Sequence, residues 1–146
     1  MIKRIAAVLA LGLTFSSTAH AGLYTDDLAR CLVDSTSKDD RMALVRWMFV
    51  AAAAHPAVAS IAKVSPKERD EADKKLATLF MRLLTDTCKD KAQKAIATDG
   101  GAVAIQQSFA VLGQVAARDL FSSPEVAQSM TNLDKYVDKK ALESLK

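Results

Sequence analysis

Apolar residues recur along this chain at intervals of three and four, the spacing that places them on one face of an α-helix. The pattern is longest from 66 to 97, where Ala72, Leu76, Leu79, Phe80, Leu83, Leu84, Cys88, Ala92, Ala95 and Ile96 keep the period past Thr85-Asp86-Thr87. It predicts one helix there, kinked at most. A second stripe passes through Ile105, Phe109, Leu112, Ala116 and Leu120, with Ala110, Gly113 and Ala117 forming a small-residue strip beside it. Glycine inside a helix costs about 1 kcal/mol relative to alanine, so Gly113 predicts close contact with another backbone, within the monomer or between two copies. The run from Met42 to Val50, followed by four alanines, is apolar on nearly every side, which predicts the most buried helix of the fold. Arg46 keeps it from reading as a membrane span.

Start and stop signals divide this pattern. Thr25 before Asp26-Asp27, Ser37 before Lys38-Asp39-Asp40, Ser65 before Pro66-Lys67-Glu68 and Ser123 before Pro124-Glu125 each put a capping side chain ahead of a helix. Asp99-Gly100-Gly101 closes the long run, because glycine accepts the left-handed backbone that ends a helix. Helices are expected near 25–34, 38–54, 66–97, 102–121, 124–137 and 139–145, with a turn from Pro56 to Ala62. Residues 22–146 hold 21 alanines and four glycines and no Asn-Gly hairpin signal. The fold class is therefore all-α, a single-domain bundle of about five to six helices. No internal repeat, low-complexity linker or second domain interrupts it.

Residues 1–21 read as a secretory signal peptide and residues 22–146 as the helical domain. Lys3 and Arg4 precede an apolar run of eleven residues, Ile5 to Phe15, and Ala19-His20-Ala21 fits small-residue cleavage before Gly22. An uncleaved anchor needs about twenty apolar residues to cross a bilayer, and no cysteine stands at the cleavage point to carry a lipid. The mature protein is expected to be soluble in the periplasm, without stable membrane insertion. Cleavage removes Lys3 and Arg4 and no acid, so the formal charge falls from +3 to +1. That near-neutral balance argues against a nucleic-acid or anionic-lipid footprint. The whole chain, 15.7 kDa, 50% hydrophobic and 25% charged, suffices for one globular core.

Export to an oxidising compartment makes the only two cysteines, Cys31 and Cys88, a predicted disulfide. Their spacing lacks the C-x-x-C arrangement of a redox-active pair. Cys88 lies on the long apolar stripe and Cys31 shares a face with Leu28 and Leu32, so the bridge should staple the first helix to the middle of the third.

Catalytic sets are scarce. The mature chain has one histidine, His55, before Pro56, where a hydrogen bond or charge at the end of the second helix explains it. The acidic pairs Asp26-Asp27, Asp39-Asp40 and Asp134 with Asp138 fit helix starts and polar faces. No phosphate loop, G-x-S-x-G, H-E-x-x-H or calcium loop is present, and no cofactor or metal is expected. Arg46, Arg82 and Arg118 stand in apolar surroundings, where a structural ion pair is the default. Alternatively, one of these arginines lies with Trp47 or Phe49 in a groove that grips a partner, with Arg46, Trp47 and Arg118 the leading candidates, since Trp and Arg dominate interface hot spots.

Arg30-Cys31-Leu32-Val33, Leu44-Val45-Arg46-Trp47-Met48-Phe49, Ala54-His55-Pro56, Leu83-Leu84-Thr85-Asp86-Thr87-Cys88 and Leu112-Gly113-Gln114-Val115-Ala116 resemble segments of a group of small exported proteobacterial proteins of undefined function. In size, export signal and two-cysteine helical make-up the chain is also similar in kind to periplasmic immunity proteins that neutralise secreted antibacterial amidases, and to small acid-stress periplasmic chaperones. The first resemblance carries no activity with it, and the scarcity of catalytic sets, more than any likeness, leads to the expectation of a non-enzymatic protein that binds another protein, with inhibition of a secreted toxin as the most concrete version. The alternatives are a holdase chaperone, or a small-ligand carrier with a pocket lined by Met42, Met48, Phe80 and Met81.

Overall fold

A computed structural model describes residues 22–145, and residues 1–21, expected to be a signal peptide, lie outside them. Seven α-helices and no strand occur among the described residues: α1 (Leu23–Asp34), α2 (Lys38–Ala52), α3 (Pro66–Arg82), α4 (Lys89–Thr98), α5 (Ala102–Phe121), α6 (Pro124–Thr131) and α7 (Lys139–Glu143). A π-helical turn, Leu83–Thr87, joins α3 to α4, and a 3-10 turn, Asn132–Lys135, follows α6. The chain is all-α as expected, with more helices than five to six because the long third run divides. None of the described helices is long and apolar enough to cross a membrane.

The division has a local cause. Cys88 N–H donates to Leu83 O at 2.8 Å, a bond that spans five residues where an α-helix spans four. In a regular helix, positions five apart point about 140° away from each other. The wider turn brings Leu83 and Cys88 to the same inward side, where they are 0% and 2% exposed. Cys88 thereby reaches Cys31 on α1, and the disulfide forms with a Cα–Cα distance of 6.0 Å.

Serine caps start α2, α3 and α6 as predicted. Ser37 and Asp40 form a reciprocal capping box, Ser65 and Glu68 another, and Ser123 Oγ accepts from Val126 N–H. Gly100 and Gly101 both take positive φ, 101° and 65°, and turn the chain from α4 into α5. At the first helix the expected Thr25 cap is wrong. Helix α1 begins at Leu23 with Gly22 as its N-cap, and Thr25 lies inside it, buried.

The core centres on α1, which lies against α4 and α5 and buries Leu28, Ala29 and Leu32. Leu76, Leu79, Leu83, Ala95, Leu112 and Ala116 complete the same cluster. Two packing expectations need correction. On α5 the fully inward stripe is Ala104, Ser108, Leu112 and Ala116, rotated from the expected one, and a Cβ added to Gly113 would meet nothing within 4 Å. Gly113 therefore marks no close backbone approach within the monomer. Helix α2 is not the most buried element either, since its buried residues are Leu44 and Val50. It packs on α3 and α5 and leaves its far side bare.

Candidate functional site

Helix α2 is clamped along one side by polar contacts. At its start, Asp40 Oδ2 accepts from Ser37 N–H and Ser37 Oγ, both at 2.9 Å, and from Arg82 Nη2 at 2.8 Å. Burial raises the Asp40 carboxyl, but the two Ser37 bonds and the Arg82 guanidinium outweigh it and hold its pKa below the ordinary value. Arg41 Nε donates to Asp119 Oδ2 of α5 at 2.6 Å. Farther along, Trp47 Nε1 donates to Asp73 Oδ1 of α3 at 2.8 Å, and Arg69 Nη1 of α3 reaches Val50 O at 3.2 Å. The two helices thus run antiparallel, with their polar edges joined.

These contacts fix which side of α2 faces water. Met42, Arg46 and Phe49 follow one another at four and three residues, so they lie on one helical face, and that face is uncovered. Met42 is 59% and Phe49 60% exposed. Large apolar side chains this exposed, side by side and centred on an arginine, have the residue types enriched at protein interfaces, where aromatics, Met and Arg are over-represented. Arg46 also lies close enough to α3 to act on Glu68, whose carboxyl is held low by hydrogen bonds from the Ser65 backbone and hydroxyl, with a smaller contribution from the Arg46 charge.

The three arginines and the tryptophan singled out in the sequence separate here. Arg82 forms the expected structural ion pair, with Asp40. Arg46 is exposed on the bare face of α2. Trp47, its neighbour, is partly buried against the core and turned to Asp73. Arg118 is exposed on α5 and makes no ion pair among the described residues, while Asp119 next to it takes Arg41. Arg46 and Trp47 thus lie on different sides of α2, and the residues that share the exposed face of Arg46 are Phe49, the other aromatic side chain that the sequence offered beside an arginine, and Met42, read there as a pocket residue.

The four residues expected to line a ligand pocket do not converge. Met42 and Met81 face solvent, Phe80 packs on Phe109 with ring centroids 4.0 Å apart, and Met48 lies against the core. Two open depressions lie elsewhere. One of about 530 Å³ is bounded by Ala53, Ala59, Lys63, Val64 and Arg69 at the loop before α3. The other, about 320 Å³, runs between α1 and α5 over Ala29, Val33, Val111 and Val115.

His55 is exposed in the loop after α2, where its Nδ1 accepts from Ala57 N–H at 3.2 Å and its backbone N–H donates to Ala52 O at 2.9 Å. It closes the helix end locally. No group of three or more His, Cys, Asp or Glu side chains able to hold a metal ion occurs among the described residues.

Sequence reading missed a second polar cluster, which runs from the buried Thr25 and Ser108 out to the partly exposed Asp99. Thr25 N–H and Thr25 Oγ1 donate to Asp99 Oδ2 at 2.8 and 3.1 Å, and Ser108 Oγ lies 2.9 Å from Thr25 O and 2.8 Å from Ala104 O. Asp99, expected only as part of a helix stop, supplies the cap that α1 lacks in its own sequence. No protein-family model, no curated protein and no solved structure matches this chain.

Proposed function

We propose that this is an exported, non-enzymatic protein-binding protein, and that the Met42–Arg46–Phe49 face of α2 is the surface that binds. The bare apolar face carries this reading: leaving two large side chains in water on a helix otherwise clamped into the bundle forgoes roughly 1.5–3 kcal/mol per side chain that burial against a partner would return. The occupant that fits is a folded protein with an apolar cleft containing a carboxylate, since a cation surrounded by apolar side chains is favourable in a desolvated contact only when paired. A secreted antibacterial toxin, plugged at its catalytic cleft, has that character, and the immunity role is the most concrete form of the proposal. Nanomolar affinity, about 12 kcal/mol, is the minimum such inhibition needs.

The test is protection of cells that receive a periplasm-directed peptidoglycan hydrolase, with the wild-type chain or with Met42→Asp, Arg46→Glu or Phe49→Asp. Protection by the wild type and at least 100-fold weaker binding in each variant, with unchanged helical circular dichroism, is the expected result. Protection that survives all three substitutions removes the α2 face from the function, and no protection against any hydrolase removes the inhibitor reading.

A further inference from the structure

The placement of Gly22 points to a role for the chain terminus that processing would create. A Cβ built on Gly22 would lie 2.1 Å from Asp99 Oδ2 and 2.2 Å from Asp99 Cγ. The carboxylate therefore occupies the space where any side chain at position 22 would stand, directly against the Gly22 Cα. It is held there by the Thr25 N–H and hydroxyl. The Gly22 nitrogen is one bond from that Cα. Gly22 is also the residue that Ala19-His20-Ala21 marks as the first of the mature chain.

We propose that removal of the signal peptide completes the fold by creating an ion pair between the Gly22 α-ammonium and the Asp99 carboxylate. Hydrolysis of the Ala21–Gly22 amide consumes one water, leaves a carboxylate on Ala21 and frees an amine on Gly22. With an ordinary pKa of about 7.7–8.0, that amine takes up a proton at neutral pH. A positive charge at the start of α1 faces the positive end of the helix dipole and by itself weakens the helix. Asp99 reverses the sign of that effect. It already accepts two hydrogen bonds from the first turn of α1, and the new ammonium adds a charged donor beside them. The disulfide ties α1 to the π turn at Cys88, and Asp99 would tie its other end to the close of α4, so processing would lock α1 at both ends.

Linkage gives the sign of the pH dependence. Pairing raises the pKa of the amine in the folded state, so the added stability is fully present below about pH 7.7 and is lost as pH rises through the raised value. The experiment compares oxidised chains beginning at Gly22 with a free amine and with an Nα-acetyl group, each with Asp99 and with Asp99→Asn. Asparagine keeps an acceptor for Thr25 and removes the charge. At pH 6 the free-amine protein should melt about 2–5 °C above the acetylated one; the difference should vanish at pH 10, and in the Asp99→Asn pair at pH 6 it should vanish or reverse, because the unpaired ammonium then opposes the helix dipole. If the acetylated protein is equally or more stable at pH 6, or if the difference persists in Asp99→Asn, the proposal is wrong. Should Asp99→Asn fail to fold, the pH dependence of the free-amine and acetyl pair decides alone, with a difference that is flat from pH 6 to pH 10 overturning it.

Discussion

Asp99 does more for this fold than its place at a helix stop suggests. Replacing it with alanine removes the side chain that accepts from the Thr25 amide and hydroxyl, and Thr25 is 1% exposed. A buried donor left unpaired costs about 1–3 kcal/mol. Ser108→Ala should cost less, under about 1 kcal/mol, because the Ala104 and Thr25 carbonyls keep partners in their own helices. Asp119→Ala, which breaks the surface pair with Arg41, should cost least, within about 1 kcal/mol. Urea unfolding of the three variants checks the order, and an Asp99→Ala midpoint no lower than that of Asp119→Ala contradicts the buried role. The contrast explains what a reader of the sequence finds at this scale. Ser37, Ser65 and Ser123 are legible caps because each bonds three residues ahead, whereas Thr25 and Asp99 meet across 74 positions, and neither residue carries a local mark of the other.

Among the elements, the π turn and the two capping boxes make opposite demands on the chain. From Leu83 to Cys88 the buried stripe steps by five, the one break in its threes and fours, and counting Leu84 as the inward residue hides it. The extra residue is removable in principle, since Thr85, Asp86 and Thr87 are all exposed. Deleting Asp86 sets Leu83 and Cys88 four apart, about 40° from alignment in a regular helix, with the core stripe and the disulfide kept. Deleting the equally exposed Gln93 instead turns Ala95 about 100° away from the core. The Asp86 deletion should melt within about 5 °C of the parent and the Gln93 deletion more than about 10 °C below it; equal losses would show that the wide turn is needed for itself. The capping boxes are fixed by charge. Asp40 and Glu68 are held below their ordinary values of 3.8 and 4.5. Their contribution is therefore present above those values and lost as pH falls from about 4.5 through their folded-state pKa. Thermal melts from pH 7 to pH 2 should show stability declining over that range. Asp40→Asn with Glu68→Gln should start lower and decline less, and an unaltered slope would assign acid sensitivity to other carboxylates.

For the molecule as a whole, stability and exposure divide along the chain. The disulfide closes a loop with a sequence separation of 57, which in the loop-entropy model restricts the unfolded chain by about 4 kcal/mol. It joins α1 to the π turn, so this constraint acts on the cluster of α1, α3, α4 and α5 that holds the buried residues. The all-helical class and the cysteine pairing were legible because composition and period bear directly on the first, and the even cysteine count with both cysteines on inward faces bears on the second. The bare face of α2 was not, since an element apolar on all sides reads as buried until its neighbours are placed, and only α3 and α5 proved available to cover it. The other end of the chain behaves differently again. Helices α6 and α7 and the 3-10 turn between them bury no residue, although Met130, Leu133, Tyr136 and Leu142 are large and apolar. Burial is what ties an element to global unfolding, so this segment should contribute little to it. A chain ending at Ser123 should retain the disulfide and melt within about 3 °C of the longer protein, and hydrogen exchange in the full chain should find amides beyond Pro124 protected far less than those of α1 and α5. If the truncated chain instead melts much lower, the exposed apolar residues of the last helices must be covering the bundle in solution, and the bare face of α2 would be the first surface to examine for their contact.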